Sequence, residues 1–328
     1  MKHLIKLRFQ NGLNFSDFKR DVFDVNGVSE LFNFEEAVHP DFVIFGPYGN
    51  DLPPKGNYKR IGYYCENIKP DLSICEYAFG VPREEEVKNS RYTRIQWHGT
   101  RPEDLLKPVN YNAKKILSQK TGFCNFLYSH RVPYREEFFK QLSKYKKVDA
   151  PGKSMNNMGS IDKSYTGSMW ERKRRFLGEY KFTIAFENDV YPGYQTEKLY
   201  DAMRADSLPI YCGDPFVGDI FDTSSFINVN DYMDKHWINT KLSKFGLMDF
   251  EDIRPQYLNG PVHRIKRKLK SLAREKKYRK PDFSAVIDRI IELDNNPELY
   301  LKYLSEPWLK NNVLQTSREK WAGIFNNV

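Results

Sequence analysis

Short apolar runs rich in β-branched and aromatic residues alternate along this chain with longer segments of helical period. That alternation predicts an α/β protein with mostly parallel sheets. In the first part, residues 4–9, 41–45, 60–65, 73–79 and 94–97 have strand character, and helices are few and short. From Gly122 the alternation is cleaner: strand 123–128, helix 134–144, strand 147–149, helix 169–179, strand 181–186, helix 197–206 and strand 208–211. This succession is Rossmann-like. Pro102, Pro108 and their polar neighbours interrupt the pattern and put a boundary within 100–120. After a strand at 225–229 the character changes. Residues 234–282 are polar and basic without strand signal, and two or three helices follow from Phe283. The clearest covers 283–294, where Val286, Ile287, Ile290 and Ile291 recur at helical spacing. On this reading the chain divides into 1–115, 116–232, a basic insert at 233–282 and C-terminal helices at 283–328.

The 328 residues are 40% hydrophobic and 29% charged, which excludes a disordered or fibrous chain. Their number suits two domains or one large α/β domain. No apolar run nears the roughly 18 residues needed to span a bilayer, and charges break the apolar start too soon for a secretory signal. Cys65, Cys75, Cys124 and Cys212 are far apart and lie mostly in apolar segments. That usage predicts reduced core thiols in a cytosolic protein. The net charge of +9, from 52 Lys/Arg against 43 Asp/Glu, suggests an anionic partner. Residues 264–280 alone hold ten Lys/Arg and one Glu, however, so the rest of the chain is neutral overall. The charge therefore argues against a nucleic-acid surface spread over the protein.

The densest chemistry lies in residues 181–215, KFTIAFENDVYPGYQTEKLYDAMRADSLPIYCGDP. A buried strand runs into Glu187 and Asn188, a loop with Pro192 and Gly193 follows, and Thr196 is placed to cap a helix that buries Leu199, Ala202 and Met203. The end of such a strand and the start of the next helix face the crevice where open α/β sheets bind ligands. Lys198 falls in the first helical turn, where the helix dipole opposes a cation by about 0.3 to 1 kcal/mol. An anion between the two, such as a diphosphate held by amides and ammonium together, gives the lysine a reason to be there. The plain alternative is a solvated lysine beside a capping threonine.

The order of Phe186-Glu187-Asn188, a short loop, Tyr194, Thr196-Glu197-Lys198, then Pro209-Ile210 and Gly213 closely resembles the donor-binding signature of the α-1,3-fucosyltransferase family of the bacterial type. Residues 60–80 and 146–157 resemble two further motifs of that family, and the likeness extends over about 40–232 and the tail after 283. The resemblance implies the GT-B architecture, two Rossmann-like domains facing a cleft with C-terminal helices. On that basis 1–115 is the acceptor-binding domain and 116–232 the GDP-sugar domain. The activity implied is inverting transfer of L-fucose from GDP-fucose to O3 of N-acetylglucosamine in a lactosamine-type glycan, giving a Lewis-x-like product. Glu66, at a strand end among Tyr63, Tyr64 and Cys65, matches the general base. Lys198 matches the diphosphate-binding lysine and Glu197 the carboxylate that accepts from the ribose hydroxyls. Asn188 and Tyr194 match further donor contacts, while Glu187 and Gly193 either shape the loop or touch the donor. Arg135 occupies the place of an arginine on the β-phosphate, whose oxygens its fork meets in a bidentate way; Arg131 is the nearby alternative. Asn67, Trp97 and His98 are candidates for the acceptor side.

No Asp-x-Asp, H-E-x-x-H or C-x-x-C is present, so no metal or cofactor is expected, and two fixed cations with a helix N-terminus are available to neutralise a leaving GDP. The Gly152-Lys153-Ser154 run is not a P-loop, because Lys147 stands where the first glycine is needed. Within the basic insert, Val262, Ile265, Leu269 and Leu272 share one side of a helical wheel. This predicts either an amphipathic anchor on an anionic membrane surface through residues 262–280, on the cytoplasmic face, or a helix packed on the protein with its basic face solvated. Two other functions stand beside the leading one: a transferase using another GDP-sugar or acceptor, and an inactive membrane- or nucleic-acid-binding module.

Overall fold

The computed structural model describes residues 2–234 apart from 50 and 67, residues 251–252, 261–262, 265, 268–269 and 272, and residues 281–327. The chain forms two compact units. One comprises Met1–Pro102, Gly246–Ser271 and Gln315–Val328, the other Glu103–Phe245 and Leu272–Leu314.

The first unit is built on a six-stranded sheet of β1 (His3–Gln10), β2 (Phe32–Glu36), β3 (Phe42–Phe45), β4 (Lys59–Tyr64), β6 (Tyr77–Gly80) and β7 (Tyr92–Arg94). The strand order is β2-β1-β3-β4-β6-β7 and every pairing is parallel. The short β5 (Ile68–Lys69) instead pairs with Glu251–Asp252. β3 is buried at all four positions and β4 at five of six, as expected of parallel strands covered on both faces. The alternation of a strand sends Tyr63 and Tyr64 to opposite sides. Tyr63 joins Ile5, Leu7, Phe18, Phe23 and Phe79 in one core, and Tyr64 joins Phe45, Cys75, Ala78 and Tyr92 in the other. The larger core is completed from the far end of the chain: helix Arg318–Phe325 inserts Trp321, stacked 4.0 Å from Phe79, and Phe325, 5.1 Å from Phe42.

The second unit carries β8 (Gly122–Asn125), β9 (Val148–Asp149), β10 (Tyr180–Phe186), β11 (Leu208–Cys212) and β12 (Ile227–Asn228), again all parallel, in the order β12-β11-β10-β8-β9. Short helices α1 (Phe15–Phe18) and α2 (Glu84–Val87) belong to the first unit and α3 (Ala113–Ser118) precedes β8, while α4 (Pro133–Leu142), α5 (Ile161–Ser164), α6 (Met169–Gly178) and α7 (Glu197–Arg204) run between the strands of the second. α4 begins with Pro133 at its first turn, and α6 with a reciprocal Ser168/Glu171 capping box. From β8 the chain steps outward to β9, then crosses back over β8 to β10. The direction of winding therefore reverses between β8 and β10, and the crevice of such a sheet opens beyond the ends of those two strands. Helices Ser284–Asn295 and Pro297–Ser305 belong to this unit: Asp294 pairs with Lys181 at 2.6 Å, and the Tyr300 hydroxyl donates to the Lys181 carbonyl.

The divisions differ from those predicted in two places. The first break lies at Pro102 and not near 115, because Lys107 is buried in the second unit. There its ammonium donates to the Leu304 and Glu306 carbonyls and sits 3.6 Å over the Trp308 ring. The tail predicted as one block is shared, since residues up to 314 pack on the second unit and the last helix on the first. The strand predicted over 73–79 starts only at Tyr77, because Asp71 accepts from both the amide and the hydroxyl of Ser73 and folds that stretch into a turn. Predicted strand 94–97 ends at Arg94, and β2, whose Phe32 and Phe34 alternate with polar residues, was not predicted.

Candidate active site

At the end of β10 the chain leaves the sheet at Glu187, whose side chain is completely buried. Its carboxylate turns toward the start of α7, where it accepts from the Thr196 amide at 2.8 Å and from the Thr196 hydroxyl at 2.6 Å. Lys198 Nζ lies 3.4 Å from the same carboxylate, donates to Thr196 Oγ1 at 2.9 Å, and reaches Glu197 Oε1 at 3.3 Å. Thr196 was expected to cap α7. It occupies the N-cap position, but its side chain makes no capping bond, because its hydroxyl is spent on Glu187. The first turn of α7 is thus left without a side-chain cap.

Charge is tightly balanced here. Burial alone would push the Lys198 ammonium toward neutrality, but Glu187 and Glu197 outweigh it and hold the lysine above its ordinary range. Burial raises Glu187 against the pull of Lys198. Burial also acts to raise Glu197, yet Lys198 and then Lys173 prevail and keep it below the usual carboxylate range. Lys173 comes from α6 and pairs with Asp201, one turn along α7 from Glu197, at 2.6 Å.

Arg135 enters from α4, across the point where the winding reverses. Its residue is 1% exposed. The guanidinium lies 3.8 Å over the Tyr128 ring and donates to Asn188 Oδ1 at 2.8 Å and to the Glu187 carbonyl at 3.3 Å. Its Nε is buried without a partner, and among the described residues no carboxylate lies within ion-pair distance of it. Arg131 is the reverse case: its side chain is 81% exposed and forms a two-pronged pair with Glu136, at 2.9 and 3.0 Å. The Arg131 hydrogen bond holds Glu136 below the ordinary carboxylate range. The arginine that faces the loop after β10 is therefore Arg135.

Tyr128 underlies the whole arrangement. Its hydroxyl donates to the Ile184 carbonyl at 2.7 Å and accepts from the Phe186 amide at 2.7 Å, which ties the end of β8 to β10. The loop predicted over 146–157 wraps the other side of it. A Cβ on Gly152 would lie 2.3 Å from the Tyr128 carbonyl, Ser154 donates to both that carbonyl and Glu136, and Asn157 closes the loop on Val148 and Ala150. Tyr194 is buried, and Gly193 has φ +86°, a conformation that favours glycine. Gly213 is required for space: a Cβ there would sit 2.5 Å from Glu187 Cγ and 2.4 Å from Tyr211 Oη.

In the first unit Glu66 follows β4 and is exposed, with the rings of Tyr63 and Tyr64 turned into the two cores. Tyr48 donates to Glu66 Oε1 at 3.2 Å. Trp97 is not an open stacking surface. It is 1% exposed and its Nε1 donates to the Gln315 carbonyl, so it serves the core. His98 is exposed, with Nδ1 3.2 Å from the Tyr63 hydroxyl. Asn67 lies outside the described residues. Val262, Ile265, Leu269 and Leu272 are helical and 46–76% exposed. No described helix is long and apolar enough to cross a membrane.

Sequence reasoning missed Tyr128, Glu136, Ser154, Tyr48 and the Lys173–Asp201 pair. The doublet of aromatic and polar residues after β8 was the available signal for Tyr128. The others come from separate segments that only the topology brings together.

Residues 117–249 match the C-terminal domain of glycosyltransferase family 10 (fucosyltransferase). The chain is 30% identical over 227 residues to the α-(1,3)-fucosyltransferase FucT of Helicobacter pylori, covering 58% of this chain and 45% of that protein. It is 34% identical over 170 residues to the GDP-fucose protein O-fucosyltransferase 3 of Xenopus laevis, covering 51% of this chain and 34% of that one. The chain thus spans less than half the length of these curated relatives. Among solved structures, a crystal structure of an α1,3-fucosyltransferase with GDP-fucose superposes with a TM-score of 0.66 at 21% identity, over 100% of this chain and 90% of that one. The fold is of the GT-B type, and the chain resembles the α-1,3-fucosyltransferase family.

Proposed function

We propose that this chain, a relative of the α-1,3-fucosyltransferases in motif, fold and donor-side sequence, is itself a fucosyltransferase that draws on GDP-fucose. The observation that carries the reading is Arg135: a buried guanidinium with no carboxylate partner among the described residues, beside an α7 whose first turn carries Lys198 and no side-chain cap. A buried cation without a counter-charge is costly, and a diphosphate supplies the missing charge with a geometry that suits a guanidinium fork. Lys198 meets the same group. Glu197, kept ionised by Lys198 and Lys173, accepts from the ribose hydroxyls, and Asn188 and Tyr194 line the donor. These cations and the helix terminus take the place of a metal on the leaving group.

In the reaction the acceptor hydroxyl attacks C1 of fucose and the bond from C1 to the β-phosphate oxygen breaks. GDP departs with the electron pair, and the hydroxyl proton passes to Glu66. Inversion at C1 follows from a single displacement. The acceptor we favour is O3 of N-acetylglucosamine in a lactosamine-type glycan, with His98 on its side of the site. The likeness to a protein O-fucosyltransferase makes a serine or threonine hydroxyl the second reading. The test is GDP release from GDP-fucose with lactosamine or with peptide acceptors, repeated with Glu66→Gln and Lys198→Ala. Fast release with lactosamine that both substitutions abolish supports the reading; equal, slow release by all three proteins removes it.

The exposed apolar side at Val262, Ile265, Leu269 and Leu272, within a segment carrying the entire excess of positive charge, further supports a peripheral position on an anionic membrane surface.

A further inference from the structure

Glu66 follows β4 and is exposed, with three rotatable bonds between its backbone and its carboxylate. A base in that position loses rate whenever it turns away, so whatever fixes its rotamer matters. One side chain does so among the described residues. The Tyr48 hydroxyl donates to Glu66 Oε1 at 3.2 Å and lies 3.7 Å from Cys65 Sγ.

Tyr48 is itself held by a turn built for it. β1 is followed by Asn11 and Gly12, both in the left-handed region at φ +55° and +85°. The segment after β3 lies against this turn, with Gly46 N donating to the Gln10 carbonyl at 3.2 Å and Tyr48 N to the Asn11 carbonyl at 3.3 Å. Asn11 Nδ2 donates onward to the Asp51 carbonyl at 2.8 Å. The tyrosine packs directly on Gly12: a Cβ there would stand 2.7 Å from Tyr48 Cβ and 2.9 Å from Cδ2. Gly49 makes the same close approach to Asn11, where a Cβ would meet Oδ1 at 2.3 Å. Two glycines and an asparagine thus set where the phenol points. Tyr48 is 58% exposed as a residue, and desolvation at its hydroxyl, then Cys65 and Glu66, hold that hydroxyl above its ordinary range, so it stays protonated and donates.

We infer that Tyr48 is the positioning residue of Glu66, engaging Oε1 so that Oε2 is presented to the acceptor hydroxyl. The inference rests on the reading of Glu66 as the base. Tyr48 touches no reacting atom on this account. It holds one carboxylate oxygen and leaves the other to take the proton.

The test is steady-state kinetics on the full chain with Tyr48→Phe, which keeps the ring on Gly12 and removes only the hydroxyl. The expected result is a fall in kcat of roughly tenfold, with the KM for GDP-fucose and the affinity for GDP unchanged. In a Glu66→Gln background the same substitution has no further effect. An unchanged circular-dichroism spectrum and melting temperature establish that the variant is folded. A wild-type kcat for Tyr48→Phe overturns the inference, as does an equal loss in the Glu66→Gln background, which would mean that Tyr48 acts elsewhere. If Glu66→Gln keeps the wild-type kcat, the reading of Glu66 as base is what fails, a result distinguishable from both.

Discussion

Glu187 accepts two hydrogen bonds from Thr196, one from its amide and one from its hydroxyl. The threonine is thereby turned away from the helix it precedes, and Lys198 is drawn onto the same carboxylate. A buried acid thus sets the position of the cation proposed to meet the donor.

Replacing Glu187 by Gln keeps the shape but points an amide group at a donor and leaves Lys198 buried without its principal counter-charge. Breaking a buried pair from one side costs about 3 kcal/mol. We expect a fall of that order in unfolding free energy and at least tenfold weaker GDP binding. Adding Lys198→Met recovers part of the stability and none of the binding. Denaturant titration and calorimetry with GDP read the two separately.

Arg135 and Arg131 make opposite predictions. Arg135→Met removes a buried cation that lacks a counter-charge, so the ligand-free protein is expected to hold or gain thermal stability while GDP affinity falls roughly a hundredfold. Arg131→Met leaves GDP affinity within about twofold, since its partner is Glu136 and its side chain is largely in water. Equal losses of GDP affinity in the two variants would refute the assignment of the phosphate-facing arginine.

Gly213→Ala forces a methyl group into Glu187 Cγ and Tyr211 Oη. Overpacking of this kind costs about 1 to 3 kcal/mol, and here the displaced atom belongs to the carboxylate that holds Thr196. Loss of stability is expected together with weaker GDP binding, visible in a thermal melt with and without GDP.

Burial depresses Lys107 to about 7 and Lys120 to about 8, against an ordinary 10.5, with Asp206 opposing in both cases. Between those values and 10.5 the unfolded chain binds more protons than the folded one, so stability rises with pH over that window and is flat below it. Denaturation midpoints at pH 7, 8 and 9 are expected to increase. In Lys107→Met the slope is smaller.

Sedimentation with anionic and with neutral vesicles tests the membrane proposal. Neutralising half of the cations in 264–280 is expected to abolish binding to anionic vesicles while turnover of a soluble acceptor persists. Unchanged binding removes the proposal.

The second unit was legible because its signals are local. β10, the loop after it and α7 follow one another within a single run of sequence, so periodicity, Gly193 and Lys198 could be read together. What escaped was whatever depends on which segments meet. Tyr128, Glu136 and Ser154 meet because Ser154, in the loop after β9, bonds both the Tyr128 carbonyl beyond β8 and Glu136 on α4. Trp97, a candidate for the acceptor side, lies in the core, and a tryptophan suited to stacking on sugar and one suited to a core have the same local sequence; only its burial against Gln315 separates them. Thr196 had every mark of a cap except knowledge that a buried acid nine residues earlier would claim its hydroxyl.

The return of the last helix to the first sheet has a consequence for assembly. Trp321 and Phe325 are ring neighbours of Phe23, Phe42 and Phe79, so that core is incomplete until residues 318–325 have been made. Domains tend to form as they emerge during synthesis. Here the order is inverted: the first unit has its six strands by Arg94 but must wait, with an aromatic face uncovered, for residues more than two hundred positions downstream, and the sheet of the second unit is made in the interval.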